Sequence, residues 1–177
     1  MTGSFQRFPQ TSEEFESFIM EHLDAFVRHA VGLLGNMEDA EDAVQEVILK
    51  IFRNRANLTR VSKPLNYVFR MITNSCTDIG RRKGCREAYI RRSLNEQKPE
   101  HEEPHEVSLI RREEYRHMQK MLDRLPEEQA VVIRFRFIEE LSFSDIAEIT
   151  ASPVTTVKSR FSYGMNKLRS GFFQKRR

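Results

Sequence analysis

The chain has few of the residues that punctuate or cross-link a fold. Only two of its 177 residues are cysteine, Cys76 and Cys85; their spacing does not match a zinc ligand set, and a redox switch between them is a remote alternative. A disulfide-dense scaffold is excluded, and a reducing compartment would keep both as thiols. Cys76, inside a helical pattern, reads as a small core residue. Glycine (seven) and proline (six) are scarce as well, and the prolines sit at element starts, which favours an all-α protein. Long apolar runs are missing: nothing approaches the roughly 20 consecutive apolar residues that span a bilayer, so no membrane insertion is expected. The first residues, MTGSFQRFPQTSEEFESF, show neither the charged start nor the apolar run of a signal peptide, and the expected location is the cytoplasm. Acid is absent from one long stretch. From Ile149 to Arg177 there are seven Lys or Arg and no Asp or Glu.

The net charge of +3 hides an uneven distribution. Residues 1–92 hold 14 basic and 12 acidic side chains, residues 93–107 hold 1 and 5, and residues 108–177 hold 14 and 9. Two basic blocks therefore flank an acidic bridge. We expect two small helical domains, an N-terminal helix bundle (1–92) and a C-terminal helix-turn-helix domain (108–177), joined by an acidic flexible linker (93–107). The linker is polar, has two prolines and shows no apolar periodicity. Fully extended, such a segment reaches roughly 50 Å.

In the N-terminal block, Phe15, Phe18, Ile19, His22, Leu23, Phe26, Val27, Ala30, Val31 and Leu34 recur at helical spacing and predict one long helix with that face buried. Gly35-Asn36 ends it and restarts the chain, with Asn36 as N-cap and Glu38 and Asp39 in the favoured first turn. The second helix, Met37 to about Asn54, is expected to bury Ala40, Ala43, Val44, Val47, Ile48, Ile51 and Phe52. Its other face begins acidic (Glu38, Asp39, Glu41, Asp42, Gln45, Glu46) and ends apolar and basic (Leu49, Lys50, Arg53). NLTRVSKP reads as a loop. Ser62 to Pro64 starts a third helix that would bury Leu65, Val68, Met71, Ile72, Cys76 and Ile79. That helix runs into RRKGCREAYIRR, with six basic residues and one acid. Asn66, Tyr67, Phe69 and Asn74 precede these cations, and two readings stand side by side. One is a basic track with aromatic faces for unstacked bases. The other is a bundle core followed by a solvated basic helix end that suits the helix dipole.

The acid-free stretch begins inside LSFSDIAEITASPVTTVKSRFSYGMNKLRSGFF, a helix-turn-helix pattern. Ser142 caps the first helix with Asp145 completing a capping box. Ile146, Ala147 and Ile149 give that helix a buried side. Ala151-Ser152 makes the turn, and Ser152-Pro153 supplies an N-cap followed by proline at the first helical position. Val154, Val157, Phe161, Met165 and Leu168 are expected to face inward. Thr155, Lys158, Ser159, Ser162, Tyr163, Asn166 and Arg169 remain outside, where hydroxyls, amides and cations can bond phosphates and base edges. An ordinary solvated face mixes both charge signs. This one does not, which points to DNA.

Three blocks, DAEDAVQEVILKIFRN, PLNYVFRMITNSCTDIGRRKG and LPEEQAVVIRFRFIEELSFSDIAEITASPVTTVKSRFSYGMNKL, closely resemble an extracytoplasmic-function sigma factor, a small initiation factor of bacterial RNA polymerase. The resemblance covers roughly residues 12–92 and 108–172, with the blocks in the family's order and spacing. It implies that Asp42, Gln45, Glu46, Leu49, Lys50 and Arg53 dock on the clamp helices of the polymerase's largest subunit. The C-terminal domain would meet the flap region. It implies that the third helix opens the −10 promoter element: Asn74 matches the family asparagine at the flipped-base pocket, and Asp78 sits one turn on. Tyr67 stands where the family usually has tryptophan. Arg81, Arg82, Lys83 and Arg86 match the basic run along the phosphates. In the C-terminal domain, Lys158, Ser159 and Arg160 match the basic-Ser-basic segment that reads the −35 element, with Thr155 beside them. Ser162 and Tyr163 depart from the aromatic and cation that many members carry. Ala151 stands where many such turns have glycine, which calls for a turn that avoids positive φ. Family members are commonly held inactive by an anti-sigma partner. The family's linker threads toward the polymerase active centre and RNA exit path, although a solvated tether accounts for this composition by itself.

Two motifs point elsewhere. HEEPH, His101 to His105, has the spacing of a zinc-protease helix, but Pro104 breaks the helix, no apolar positions flank it and no third ligand is evident. A zinc hydrolase is the remote alternative. Asn57-Leu58-Thr59 matches a glycosylation acceptor, which has no meaning without secretion. The expected protein is no enzyme and needs no metal or cofactor. The nearer alternative is a helix-turn-helix regulator that works without polymerase.

Overall fold

A computed structural model describes residues 7–91, 120–122 and 124–174, with the side chains of all but 83–91 and 171–174. The chain divides into two compact units, Met1–Pro104 and His105–Arg177. The described residues are helical or irregular and include no strand. The expected linker, 93–107, lies outside them.

In the first unit, helix α1 (Ser12–Leu34) starts at a reciprocal cap. The Glu14 N–H donates to the Thr11 hydroxyl at 3.1 Å. The Glu14 carboxylate in turn accepts from the Gln10 and Thr11 N–H groups at 3.0 and 3.4 Å. Those two backbone bonds, Gln10 first, hold the Glu14 carboxyl below its ordinary value. Gly35 stops α1 in the left-handed region at φ 81°, and its N–H donates to the Val31 carbonyl at 2.8 Å. Asn36 then caps α2 (Met37–Asn54) as expected, accepting from the Asp39 N–H at 2.8 Å. A 3-10 turn, Arg55–Asn57, follows. Its Arg55 donates to the Gln10 carbonyl at 3.2 Å and covers the Phe52 ring at 4.1 Å, tying the segment before α1 to the end of α2. Helix α3 spans Pro64–Arg91.

The three helices pack on one another through the faces their periodicity predicts. Phe15, Phe18, Ile19, Phe26, Ala30 and Val31 meet Ala43, Val44, Val47 and Ile51 of α2 and Val68, Phe69, Ile72 and Cys76 of α3. Phe8, ahead of α1, is fully buried against the Phe15 and Phe18 rings. Burial pushes the Cys76 thiol up to about 12, as befits a core residue and not a reactive one. Some expectations shift at the edges: His22, Leu23, Val27, Leu34, Ile48, Leu65, Met71 and Ile79 are half-buried, and Phe52 is exposed at the rim. A polar core residue also escaped the pattern. His29 is buried, with Nε2 2.9 Å from the Thr73 hydroxyl, whose own proton goes to the Phe69 carbonyl at 2.7 Å. The Thr73 oxygen therefore accepts from Nε2–H, a polar cross-link between α1 and α3.

In the second unit, α4 (Glu127–Phe137), α5 (Phe143–Ile149) and α6 (Val154–Gln174) surround a core of Leu122, Leu125, Ala130 and Ile133, with Phe161, Met165 and Leu168 of α6 laid against it. Val154, expected inside, is exposed because it opens α6 one turn before Val157 reaches the core. Gly164 is the point of closest approach. A Cβ there would sit 2.7 Å from Ile133 Cδ1 and 3.3 Å from Gln129 Cβ. Helix propensity alone would favour alanine at that position by about 1 kcal/mol. We expect Gly164→Ala to bring no gain in urea unfolding. In an Ile133→Val background, which removes the clashing Cδ1, the same change becomes more favourable by about 1 kcal/mol. Simple additivity of the two midpoint shifts would refute this contact.

Candidate nucleic-acid and partner interfaces

Helix α2 is two-faced. With Ala43, Val44, Val47 and Ile51 buried, Asp42, Gln45, Glu46, Leu49, Lys50 and Arg53 all fall on the opposite side and all are exposed. Their spacing of three and four residues makes one continuous strip. Leu49, 53% exposed, is its apolar centre, with Glu46 on the N-terminal side and Lys50 and Arg53 on the other.

Helix α3 carries a second strip. Asn74, Asp78, Arg81 and Arg82 are exposed and recur at four-, three- and one-residue steps along one side. Tyr67 lies two turns before Asn74 but is half-buried, its ring edge-on to Phe8 at 6.0 Å. The sequence reading missed Arg70, whose guanidinium lies over Tyr67 at 5.5 Å and places a cation between Tyr67 and Asn74. Its only sequence signal was its register on that strip. Asn66 and Phe69 are corrected: both are buried, Phe69 edge-to-face with Phe26 at 5.1 Å, so neither offers a face to a base. They fall on the side of α3 that carries Ile72 and Cys76, and the helical repeat turns them inward. Lys83 and Arg86 continue the helix, but their side chains lie outside the described ones, as does that of Cys85.

The third strip is on α6. Ser142 caps α5 by accepting from the Asp145 N–H at 3.1 Å, and its hydroxyl donates back to the Asp145 carboxylate. Thr150 N–H donates to Ile146 and Ser152 N–H to Ala147, at 2.9 and 3.0 Å, and the chain reverses at Ala151. Here the expectation fails: Ala151 has φ 48°, in the left-handed region. The turn needs that conformation whatever residue occupies it, and the side chain of alanine is small enough to be forced there at a cost of roughly 1–2 kcal/mol. Ser152 does not cap α6 either. Its hydroxyl donates to the Thr150 carbonyl at 3.1 Å and accepts from Arg160 Nη1 at 2.9 Å. Beyond the turn, Thr155, Lys158, Ser159, Ser162 and Tyr163 are exposed along one stripe that Asn166 and Arg169 extend, and Tyr163 is 64% exposed. Ser159 donates to the Thr155 carbonyl at 3.0 Å, so its oxygen is left to accept. Arg160 is off the stripe. Its Nη2 is 2.7 Å from a Glu128 carboxylate oxygen on α4.

Among the described residues no group of three or more His, Cys, Asp or Glu could hold a metal, and His101 and His105 lie outside them. Among the same residues no helix is long and apolar enough to cross a membrane.

Comparison with known proteins matches residues 18–85 to Sigma-70 region 2 and residues 115–168 to Sigma-70 region 4. The chain is 29% identical over 161 residues to the ECF RNA polymerase sigma factor SigE of Mycolicibacterium smegmatis, covering 88% of this chain but only 60% of SigE. It is 25% identical to RNA polymerase sigma factor SigV of Bacillus subtilis, over 85% of this chain and 86% of SigV. With ECF RNA polymerase sigma factor SigW of the same organism it shares 26% identity, over 89% and 88%. Among solved structures, the fold is like that of sigma factor RpoE of Bartonella quintana in complex with anti-sigma factor NepR, with TM-score 0.74 and 23% identity over 89% of this chain and 96% of that one. CnrH in complex with the cytosolic domain of CnrY gives TM-score 0.70 at 16% identity, over 93% and 90%.

The strain at Ala151 is measurable. Ala151→Gly relieves the left-handed penalty but frees the unfolded chain by about 0.4–1 kcal/mol, leaving a net stabilisation of roughly 0.5 kcal/mol. Ala151→Val, branched at Cβ, moves the other way by more than this. A thermal melt in which glycine destabilises and valine is neutral would contradict the left-handed turn.

Proposed function

Because the chain belongs to the sigma-70 family, in its extracytoplasmic-function branch, we propose that it binds core RNA polymerase and directs promoter-specific initiation of transcription. Sigma factors are not enzymes, and in this reading the chain works in the cytoplasm with no chemistry of its own. The observation that carries it is a pairing within one chain. A helix-turn-helix unit with an acid-free outer stripe is joined to a bundle whose α2 holds a large apolar side chain, Leu49, out in solvent among charges. An exposed leucine ringed by polar groups suits a partner surface, and a DNA-reading stripe alone would not require it.

The parts divide the work. The Asp42–Arg53 strip docks on the coiled-coil clamp helices of the largest polymerase subunit, Leu49 desolvated at the centre and the charges setting register. On α3, Asn74 takes a base out of the −10 element, while Arg81, Arg82, Lys83 and Arg86 follow the phosphates. Tyr67, held edge-on by Phe8, supports that surface and Asp78 borders it. On α6, Thr155, Lys158, Ser159, Ser162 and Tyr163 meet the −35 element in the major groove. The C-terminal unit contacts the flap region, residues 93–107 link the two domains, and an anti-sigma factor is the expected regulator, as RpoE of B. quintana has in NepR.

Retention of core polymerase by the immobilised chain is the direct test. The double change Glu46→Arg, Leu49→Ala should weaken it by about thirtyfold, roughly 2 kcal/mol, with helical content unchanged. Equal retention by the variant would refute the docking strip. No retention by the unaltered chain, with duplex binding intact, would make it a polymerase-independent regulator.

The two ends of the α6 stripe should behave differently. Helix α6 enters the groove by its N-terminal half, so Lys158→Ala should cost about 1–3 kcal/mol at the preferred upstream sequence and relax preference at one or two positions. Arg169→Ala should weaken binding to all sequences alike and lower the salt slope by about one unit. Isotherms at several salt concentrations, unchanged for both variants, would mean that this stripe is not the DNA-reading face.

A further inference from the structure

The geometry points to Arg160 as a positioning residue that locks the helix-turn-helix turn and sets the pose of α6, and not as a reader of DNA. The inference rests on the −35 reading proposed above and takes Arg160 out of the set of readers that the family resemblance implied. By sequence, Arg160 is half of a basic-Ser-basic pair with Lys158. In the structure the two cations part. Lys158 is exposed on the outer stripe, whereas the Arg160 side chain is 24% exposed and turned toward α4. Both ends of its guanidinium are engaged, Nη1 donating to the Ser152 hydroxyl at 2.9 Å and Nη2 lying 2.7 Å from the Glu128 carboxylate.

These two partners matter because of where they sit. Glu128 is in the first turn of α4. Ser152 follows Ala151, and its hydroxyl passes the connection on to the Thr150 carbonyl at 3.1 Å. One guanidinium thus joins the reading helix, the supporting helix and both sides of the residue with φ 48°. A left-handed alanine persists only where its surroundings over-determine it, and the Arg160–Ser152–Thr150 chain spans that residue. The ion pair alone carries little weight, since the Glu128 side chain is 69% exposed and exposed pairs contribute little. What counts is that a planar fork fixes two elements at once in a set geometry, which the rotatable ammonium of a lysine does not impose.

The test uses the full chain assembled with core polymerase, bound to an upstream duplex recovered from a randomised pool. Arg160→Ala is expected to weaken binding roughly tenfold while leaving the salt slope and the base preferences of the unaltered chain intact. Lys158→Ala, run in parallel, should relax base preference. Loss of about one unit of salt slope in Arg160→Ala would show a phosphate contact, and relaxed preference a base contact; either overturns the inference while the −35 reading stands. Two further variants guard against simple misfolding. Glu128→Ala removes an acid, which by charge alone favours DNA, but also removes the acceptor that Arg160 needs on α4 and should here weaken binding; stronger or unchanged binding refutes the lock. Adding Ala151→Gly to Arg160→Ala should restore a good part of the lost affinity, because glycine holds the left-handed turn without help; no restoration counts equally against it. If the unaltered chain selects no upstream sequence, the −35 reading fails and this inference falls with it.

Discussion

The helical repeat binds every exposed stripe of this protein to a buried one. A residue on α2, α3 or α6 can reach a partner only because the residues three and four positions away are held against neighbouring helices. Leu49 stands in solvent since Val47 and Ile51 do not, and Asn74 points outward since Ile72 and Cys76 point in. The same constraint removes candidates. Phe69 is an aromatic in the right segment for stacking on a base, but its register assigns it to Phe26 and the core. Binding chemistry on such a protein is therefore a matter of helical phase before it is a matter of residue type.

Phase in turn depends on where each helix begins and ends, and here the chain uses short-range devices. The Thr11–Glu14 reciprocal cap, left-handed Gly35, the Asn36 cap and the Ser142–Asp145 pair each satisfy end groups from within a few residues. The Thr11–Glu14 cap carries the same kind of signature as the others but was not read. Gly35, Asn36 and the Ser142–Asp145 pair were legible in the sequence because a cap is a local arrangement with a local signature. So were the three N-terminal helices and their principal core residues, since apolar periodicity over twenty residues has no other reading.

What was illegible involves contacts between distant residues. A polar residue read along the chain is assigned to the outside, so His29, Asn66 and Arg134 were missed as buried groups. His29 is accommodated by Thr73, forty-four residues away, and no local pattern records that pairing. Gly164 reads as one more glycine until α4 is seen to pass within a side chain's width. Ala151 is the sharpest case. Local preference says alanine avoids positive φ, and it is overridden by a turn whose flanks are fixed from Arg160 and Ala147. The same tertiary contact explains why Ser152 does not act as a cap: its hydroxyl already has two partners.

The consequence reaches recognition. The acid-free stretch carries seven cations, and a count of charges would spread them over the reading face. Among the described residues, Lys158 is the exposed cation in the N-terminal half of α6, Arg160 is turned inward, and Lys167 and Arg169 lie two to three turns on. In the proposed −35 reading, net charge then supplies long-range attraction and phosphate contact from the far half of the helix. In that reading, discrimination between sequences falls to a small set near the turn: one lysine, the hydroxyls of Thr155, Ser159 and Ser162, and the Tyr163 ring. Hydroxyls accept or donate with little preference among bases, so a surface of this kind gains specificity from the pose in which it is held. In this unit α6 is held by the close approach of Gly164 to Ile133 at one point and by the Arg160 fork near its start.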